Sequence, residues 1–425
     1  MRVLIVNTSE KTGGAAVAAN RLMEALKNNG VKAKMLVREK VSDQITVVGL
    51  PHHSTHMKWN FLWERFMIFT RLHFSRKHLF EIDIANAGTD ITRLREFQEA
   101  DIIHLHWINQ GMLSLQNIYK ILESGKPVVW TMHDIWPATA ICHYTRTCSY
   151  FKSQCHNCQL LPGEGSANDL ASKVWRKKRN ILAHHNIFYV ACSQWLKNEA
   201  KQSALLTGQS ITNIPNPIDT HIFHPTEKKE ARMIAGLPAN KRIILFVSQR
   251  VTDQRKGMKY FIDAIQLLAE RHPEIKDTTG IAILGGQSEV IAPRLPLPVY
   301  SLGYVSDDKK IVSIYNAADV FVLPSLEDNL PNTIMEAMAC GVPCVGFKVG
   351  GIPEMIDHKK NGYIAQLCSA EDLEEGIHWV LCEANRDALK QEALRKVSTN
   401  YSQHHVAMKY IEVYNQAIAF KRYRL

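Results

Sequence analysis

Short apolar runs recur along this sequence in two series, and none has the polar alternate face of a half-exposed strand. The first series is MRVLIVN, AKMLV, DIIHLH, PVVWTMHD and IFYVACS; the second, after about residue 225, is RIILFVSQR, GIAILGG, VYSLGYV, DVFVLPS and PCVGFKV. Runs rich in Val and Ile throughout must be covered on both faces, as in parallel sheets flanked by helices. Longer amphipathic stretches separate them, for example residues 15–29 and 258–271. The alternation predicts an α/β fold made of two consecutive doubly wound parallel sheets.

A chain of 425 residues has room for two large domains. The two series meet at IPNPIDTHIFHP, residues 214–225, where three prolines fix φ and restrict their neighbours, which predicts a linker. Domains are therefore expected over 1–215 and 216–405. A last helix is expected over 406–425, where Val406, Tyr410, Val413, Ala417 and Phe420 recur at three- or four-residue steps, and it could return to the first domain.

The 51 Lys and Arg against 41 Asp and Glu leave a net charge of +10, which favours anionic partners: nucleotides, phospholipid surfaces or nucleic acid. No reading helix, repeated aromatic platform or RNA-binding motif is recognisable, so nucleic acid is not an expected partner. The opening apolar run is too short for a secretory h-region. With nine Cys in so long a chain, this points to a reducing, cytoplasmic compartment. No stretch of about 18 uncharged apolar residues suggests a spanning helix.

In open α/β sheets ligands gather outside the carboxyl ends of the strands. After the first run, Gly13 and Gly14 sit just ahead of a helix, where free amides attract phosphate, although GxGxxG is absent and an ordinary turn is as good a reading. His133 and Asp134 follow PVVWTM; a histidine there could bond a substrate hydroxyl or serve only the local structure. Arg250 and Lys256 flank the loop after RIILFVS and could neutralise a diphosphate, with Arg255 as a substitute, or form a solvated basic loop. After VFVLPS come Glu327 and Asp328, then a helix starting near Asn332 and Thr333 that carries Glu336 and stops at Gly341 and Pro343. Carboxylates before and within one short helix can reach the same crevice.

In order and spacing, GGAAVAANRLMEAL, TMHD, IPNPID, RVTDQRKG, PSLEDNLPNTIMEAMACGVPCV, GGIPE and NGYIA resemble glycosyltransferase family 4 over nearly the whole chain. HDIWPATAICHY and PNTIMEAMACG are especially similar to bacterial glycosyltransferases of colanic acid or exopolysaccharide biosynthesis. The resemblance implies the GT-B architecture, two facing Rossmann-like domains with a cleft between them. It also implies transfer of a sugar with retained anomeric configuration, from a nucleotide-sugar donor to a saccharide or lipid-linked oligosaccharide acceptor. Arg250 and Lys256 would hold the diphosphate, and Glu336 the nucleotide ribose. Leu330, Pro331, Asn332 and Thr333 would complete the donor site. The first acid of the family's pair falls on Asp328, one methylene short of Glu, with Glu327 just before it; either could take the role. Arg250 and Lys256 are one residue further apart than in many members. His133 would lie beside the transferred sugar, and Gly13 and Gly14 near donor phosphate and acceptor. No cofactor or catalytic metal is implied. A nucleotide-sugar epimerase of similar fold is the alternative that architecture alone leaves open.

Two further features stand outside that pattern. Cys142, Cys148, Cys155 and Cys158 cluster in CHYTRTCSYFKSQCHNC, where four thiolates could close a structural zinc site, with His143 and His156 as alternative ligands and free thiols or a disulfide as the plain alternative. Residues 56–79 set Lys58, Arg65, Arg71, Arg76 and Lys77 among aromatics against one acid, Glu64. Residues 173–185 carry Lys173, Arg176, Lys177, Lys178 and Arg179 with no acid. Both stretches suit an anionic membrane surface, or a core-facing stripe with a solvated basic back.

Overall fold

The computed structural model describes residues 1–50 and 54–422. The chain divides into two compact units: Met1–Pro215 with Val406–Leu425, and Asn216–His405. It enters the second unit at Asn216 and leaves it after His405.

The first unit is built on seven strands, β1 (Arg2–Val6), β2 (Lys32–Val37), β3 (Val47–Gly49), β4 (Ile102–Leu105), β5 (Val128–Met132), β6 (Phe188–Ala191) and β7 (Ser210–Asn213), in the order 3-2-1-4-5-6-7. Every pairing is parallel. The side-chain period of two splits β1 between two cores. Val3 and Ile5 pack on helix α1 (Gly14–Asn28), through Leu22, Met23 and Leu26, and on the helix Gln403–Arg422, through Val406, Tyr410, Val413, Tyr414 and Ala417. Leu4 and Val6 belong to the opposite core, with Trp130, Tyr189, Ile68 and Leu72 of helix α2 (Ser54–Arg71), and Val174 and Trp175 of the helix Leu170–Leu182. Full burial of each such large side chain stabilises the fold by roughly 1.5–3 kcal/mol.

The second unit repeats the plan with β8 (Arg242–Arg250), β9 (Thr279–Gly286), β10 (Val299–Gly303), β11 (Val320–Leu323), β12 (Cys344–Phe347) and β13 (Gly362–Ala365), ordered 10-9-8-11-12-13 and again parallel. Phe246, Val322, Val345 and Phe347 pack against Phe261, Ile262, Ile265 and Leu268 of the helix Met258–Arg271. Between the units, residues 214–227 form no helix and only one bridged position, Ile218, whose amide donates to the Tyr401 carbonyl at 2.8 Å.

In each sheet the winding reverses at one pair of neighbours, β1 and β4 in the first and β8 and β11 in the second. There the connections leave in opposite directions and open a crevice at the carboxyl ends. Among the described residues no helix is long and apolar enough to cross a membrane.

Candidate functional site

In the second unit, the loops after β8 and β11 meet at the reversal point. Lys256 Nζ lies 2.6 Å from Asp328 Oδ2, which also accepts from Ser325 Oγ at 3.1 Å. Two glycines make this approach feasible. Gly257 has φ 72°, and a Cβ there would overlap the carbonyl oxygen of Pro324; Gly350 has φ 56°, and a Cβ there would overlap the carbonyl oxygen of Asp328. The Gly-Gly of GGIPE is thus a backbone fit against Asp328. Burial by itself would raise the Asp328 pKa, but Lys256 and Arg255 hold it below the ordinary carboxylate value, so the pair is ionised. Of the two neighbouring acids, Asp328 carries the carboxylate that meets Lys256; the Glu327 carbonyl accepts from Arg255 Nη1 at 3.4 Å.

Arg250 ends β8 and is exposed. The helix Asn332–Ala339 starts after Pro331, whose ring provides no side-chain cap. Leu330 is buried, and Thr333 lies in the first turn. Asn332 Oδ1 accepts from Asn216 Nδ2 at 3.1 Å. Glu336, on the same helix, is 9 % exposed, and its Oε2 accepts from Tyr315 Oη at 2.8 Å. The loops after β8 and β11 therefore bring the Lys256 ammonium to the Asp328 carboxylate just ahead of a helix start, an arrangement suited to an anion that carries hydroxyl groups.

In the first unit, Gly13 precedes α1 with φ 91°; a Cβ there would meet nothing, so conformation and not space demands glycine. Gly14 opens the helix, again without a side-chain cap. His133 follows β5 within a histidine stack. Its Nε2 lies 2.9 Å from His106 Nδ1, and its Nδ1 lies 3.6 Å from Cys192 Sγ. His104 Nδ1 is 2.7 Å from Tyr414 Oη, and His104 Nε2 is 2.8 Å from Thr131 Oγ1, itself 2.9 Å from Tyr410 Oη. Burial keeps these rings neutral: His104 falls to about 3, His133 to about 4, and His106 well below the usual value.

Asp134 is an anchor. Its carboxylate accepts from Trp107 Nε1 at 2.9 Å, from the Trp136 amide at 2.9 Å and from His143 Nδ1 at 2.8 Å. His143 Nε2 lies 2.6 Å from Asp83 Oδ2. Burial would lower the His143 pKa, but Asp134 and Asp83 raise it to about 10, so the ring is an imidazolium between two carboxylates. His143 is therefore an ion-pair partner in this structure, whereas the spacing offered it as an alternative metal ligand. Cys142, Cys148, Cys155 and Cys158 are free thiols. Among the described residues no group of three or more His, Cys, Asp or Glu side chains is arranged to hold a metal ion.

Tyr315, Ser325, His106 and Trp107 escaped sequence reasoning. Tyr315, His106 and Trp107 contact a motif residue from a separate segment, whereas Ser325 lies three residues before Asp328 within the motif itself.

Two family models match the chain, Glycosyltransferase Family 4 over residues 12–222 and Glycosyl transferases group 1 over residues 241–383. An uncharacterized glycosyltransferase of Methanocaldococcus jannaschii is 26 % identical over 355 residues, 80 % of this chain and 90 % of the relative. A D-inositol 3-phosphate glycosyltransferase of Acidothermus cellulolyticus is 29 % identical over 292 residues, 64 % of this chain and 57 % of the relative's length. Among solved structures, sucrose-phosphate synthase from Thermosynechococcus elongatus superposes with a TM-score of 0.67 at 17 % identity, covering 98 % of this chain and 99 % of that one. Anabaena HepE in complex with UDP-glucose gives 0.62 at 16 %, covering 98 % and 100 %. With two Rossmann-like sheets, the motifs at their reversal points and matches to both halves, the chain belongs to glycosyltransferase family 4 and has the GT-B fold.

Proposed function

We propose that this enzyme moves a glycosyl group from a nucleotide-sugar donor to a saccharide acceptor with retention of configuration. The observation that carries the reading is the Lys256–Asp328 pair in the loops ahead of the helix Asn332–Ala339, which starts without a side-chain cap from Pro331. Arg250, Lys256 and the helix amides meet the charge that develops on the departing diphosphate, a field that serves in place of a divalent ion. Asp328, held by Lys256 and Ser325, accepts from sugar hydroxyls, and Glu336 from the ribose. Loss of the diphosphate leaves an oxocarbenium-like sugar. The attacking hydroxyl gives its proton to the departing phosphate oxygen, so no side chain acts as nucleophile. The crystallised HepE complex with UDP-glucose supports a nucleotide donor for a chain of this fold. A lipid-linked acceptor, surface-polysaccharide assembly and a cytoplasmic site of action at the inner membrane face complete the proposal. The four-cysteine loop is a proposed structural metal site on its spacing alone, and elemental analysis of the purified protein tests it.

A thermal-shift screen of UDP-, GDP- and ADP-sugars checks the donor class. A donor at 100 times its Kd adds about 2.7 kcal/mol of stability, so one nucleotide series is expected to raise the melting midpoint. Lys256→Ala is expected to lower sugar transfer to the acceptor at least a hundredfold while far-UV circular dichroism is unchanged. Near-normal transfer by that variant overturns the assignment, and an epimerised nucleotide sugar as the only product overturns the reaction.

A further inference from the structure

Helix α2 turns two of its charged residues inward. Glu64 is fully buried, its Oε1 accepting from the amides of Ile84 and Ala85 at 3.0 and 2.7 Å, and Arg65 donates to the Leu79 carbonyl at 2.7 Å and pairs with Asp83. Met57, Ile68 and Leu72 are buried beside them. These anchors fix the rotation of the helix and turn Trp59, Leu62, Trp63 and Phe66 outward, at 67, 56, 48 and 53 % exposure. The spacing i, i+3, i+4, i+7 makes one continuous stripe, and the Trp63 and Phe66 rings lie 6.1 Å apart. Phe74 and Phe80, also exposed, follow just beyond the helix.

So large an apolar face is not covered by its own domain, and monomeric proteins seldom leave one open without use. Its charge identifies the partner. Lys58, Arg71, Arg76 and Lys77 are exposed, and the only acid between residues 54 and 77 is the buried Glu64. A second copy of the chain docked face to face would oppose these cations to themselves. Tryptophan, phenylalanine and leucine flanked by lysine and arginine are the composition that partitions into the boundary between headgroups and acyl chains. We propose that the outer face of α2 lies in the surface of a bilayer containing anionic lipid, with the aromatic stripe inserted and the four cations at the headgroups. The inference does not rest on the catalytic reading, since it is read out by lipid binding.

The test is cosedimentation of the full-length protein with vesicles of phosphatidylglycerol and phosphatidylcholine, against vesicles of phosphatidylcholine alone. Binding to the anionic vesicles is expected to be at least tenfold tighter, to weaken in 0.5 M salt, and to fall at least tenfold in Trp63→Ser with Phe66→Ser and in Lys58→Glu with Arg71→Glu. All four side chains are exposed, so melting midpoints should hold; Trp59→Ser serves as a third variant should either pair misfold. Absence of sedimentation with anionic vesicles overturns the proposal, as does binding that the variants leave unchanged. A dimer in sedimentation velocity that Trp63→Ser with Phe66→Ser dissolves, without vesicle binding by the parent protein, overturns it in favour of a second copy.

Discussion

His133 shows what a single residue owes to its surroundings. Buried against His106 and Cys192, it is neutral, and so are His104 and His106 behind it; His143, a few ångströms from the same loop through Asp134, is charged. The two behaviours predict a pH profile. His104 and His133 have folded pKa values of about 3 and about 4, below the unfolded value near 6.5. Below pH 6.5 the unfolded chain takes up protons that the folded chain refuses. Their stabilisation is complete above the unfolded value and declines as the pH falls toward 4. At about 1.4 kcal/mol per pKa unit, His133 alone is worth roughly 3 kcal/mol. His143, raised to about 10, runs the other way: its contribution is complete below pH 6.5 and is lost as the pH rises through 10. The melting midpoint of the first unit is therefore expected to peak near pH 6.5, with an acid limb that His133→Gln makes shallower. A midpoint constant from pH 7.5 to 5 would contradict the burial of these rings. The sequence showed His133 as a strand-end histidine. It could not show its charge, which depends on burial against His106 and Cys192 brought in from other segments. In the same way Asp328 and Glu327 were equivalent as neighbours in the chain, and only Ser325, Lys256 and Gly350 closing round position 328 separate them.

Elements were legible in proportion to how strongly burial wrote them. The runs at β1, β5, β8 and β11 are apolar on both faces and were plain. The edge strand β7, with sequence SITN and no fully buried residue, carries no such signal, and β3 is only three residues long. Charge misled more than hydrophobicity did. In the helix Leu170–Leu182 both readings of the basic stretch, a membrane-facing surface or a solvated back, put its cations on the outside, yet Lys178 is 2 % exposed. Its ammonium donates to the carbonyls of Trp136 and Thr139 at 2.7 and 2.9 Å and sits 3.2 Å over the Trp136 ring. Burial lowers its pKa to about 7, against the pull of the nearby Cys142 and Cys155 thiols. Arg65 in α2 is buried likewise. Lys173, Arg176, Lys177 and Arg179 remain on the surface. Lys178→Glu would place a charged third acceptor against two carbonyls and is expected to cost about 3 kcal/mol or more, on the order of an uncompensated buried charge. Arg176→Glu, two residues earlier, should change stability by about 0.5 kcal/mol or less. Chemical denaturation of the two variants checks this, and equal midpoints would show Lys178 to be solvated.

At the scale of the whole molecule, the chain crosses between units twice, and the second crossing makes the first unit discontinuous. Residues 406–425 belong to it although they follow the second unit in the chain. Their helix shares the cover of one sheet face with α1: Val406, Tyr410, Val413, Tyr414 and Ala417 are buried in one core with Val3, Ile5, Val129 and Val190, and Tyr414 is the hydrogen-bond partner of His104. A chain ending at residue 405 leaves that face open to water and strips the histidine stack of its Tyr410 and Tyr414 hydroxyls. At roughly 1.5–3 kcal/mol for each large side chain fully buried, the lost burial is of the same order as the 5–15 kcal/mol by which domains are usually stable. The second unit, with its own six-stranded sheet and core, has no such dependence. The fragment 216–405 is thus expected to be soluble and to melt cooperatively, whereas 1–215 alone should aggregate. Joining 406–425 to 1–215 through a flexible linker should restore a soluble, cooperatively melting unit. Solubility and calorimetry of the three fragments decide the matter. If 1–215 melts cooperatively without the helix, the C-terminal segment is an accessory to the first unit and not the last part of its core.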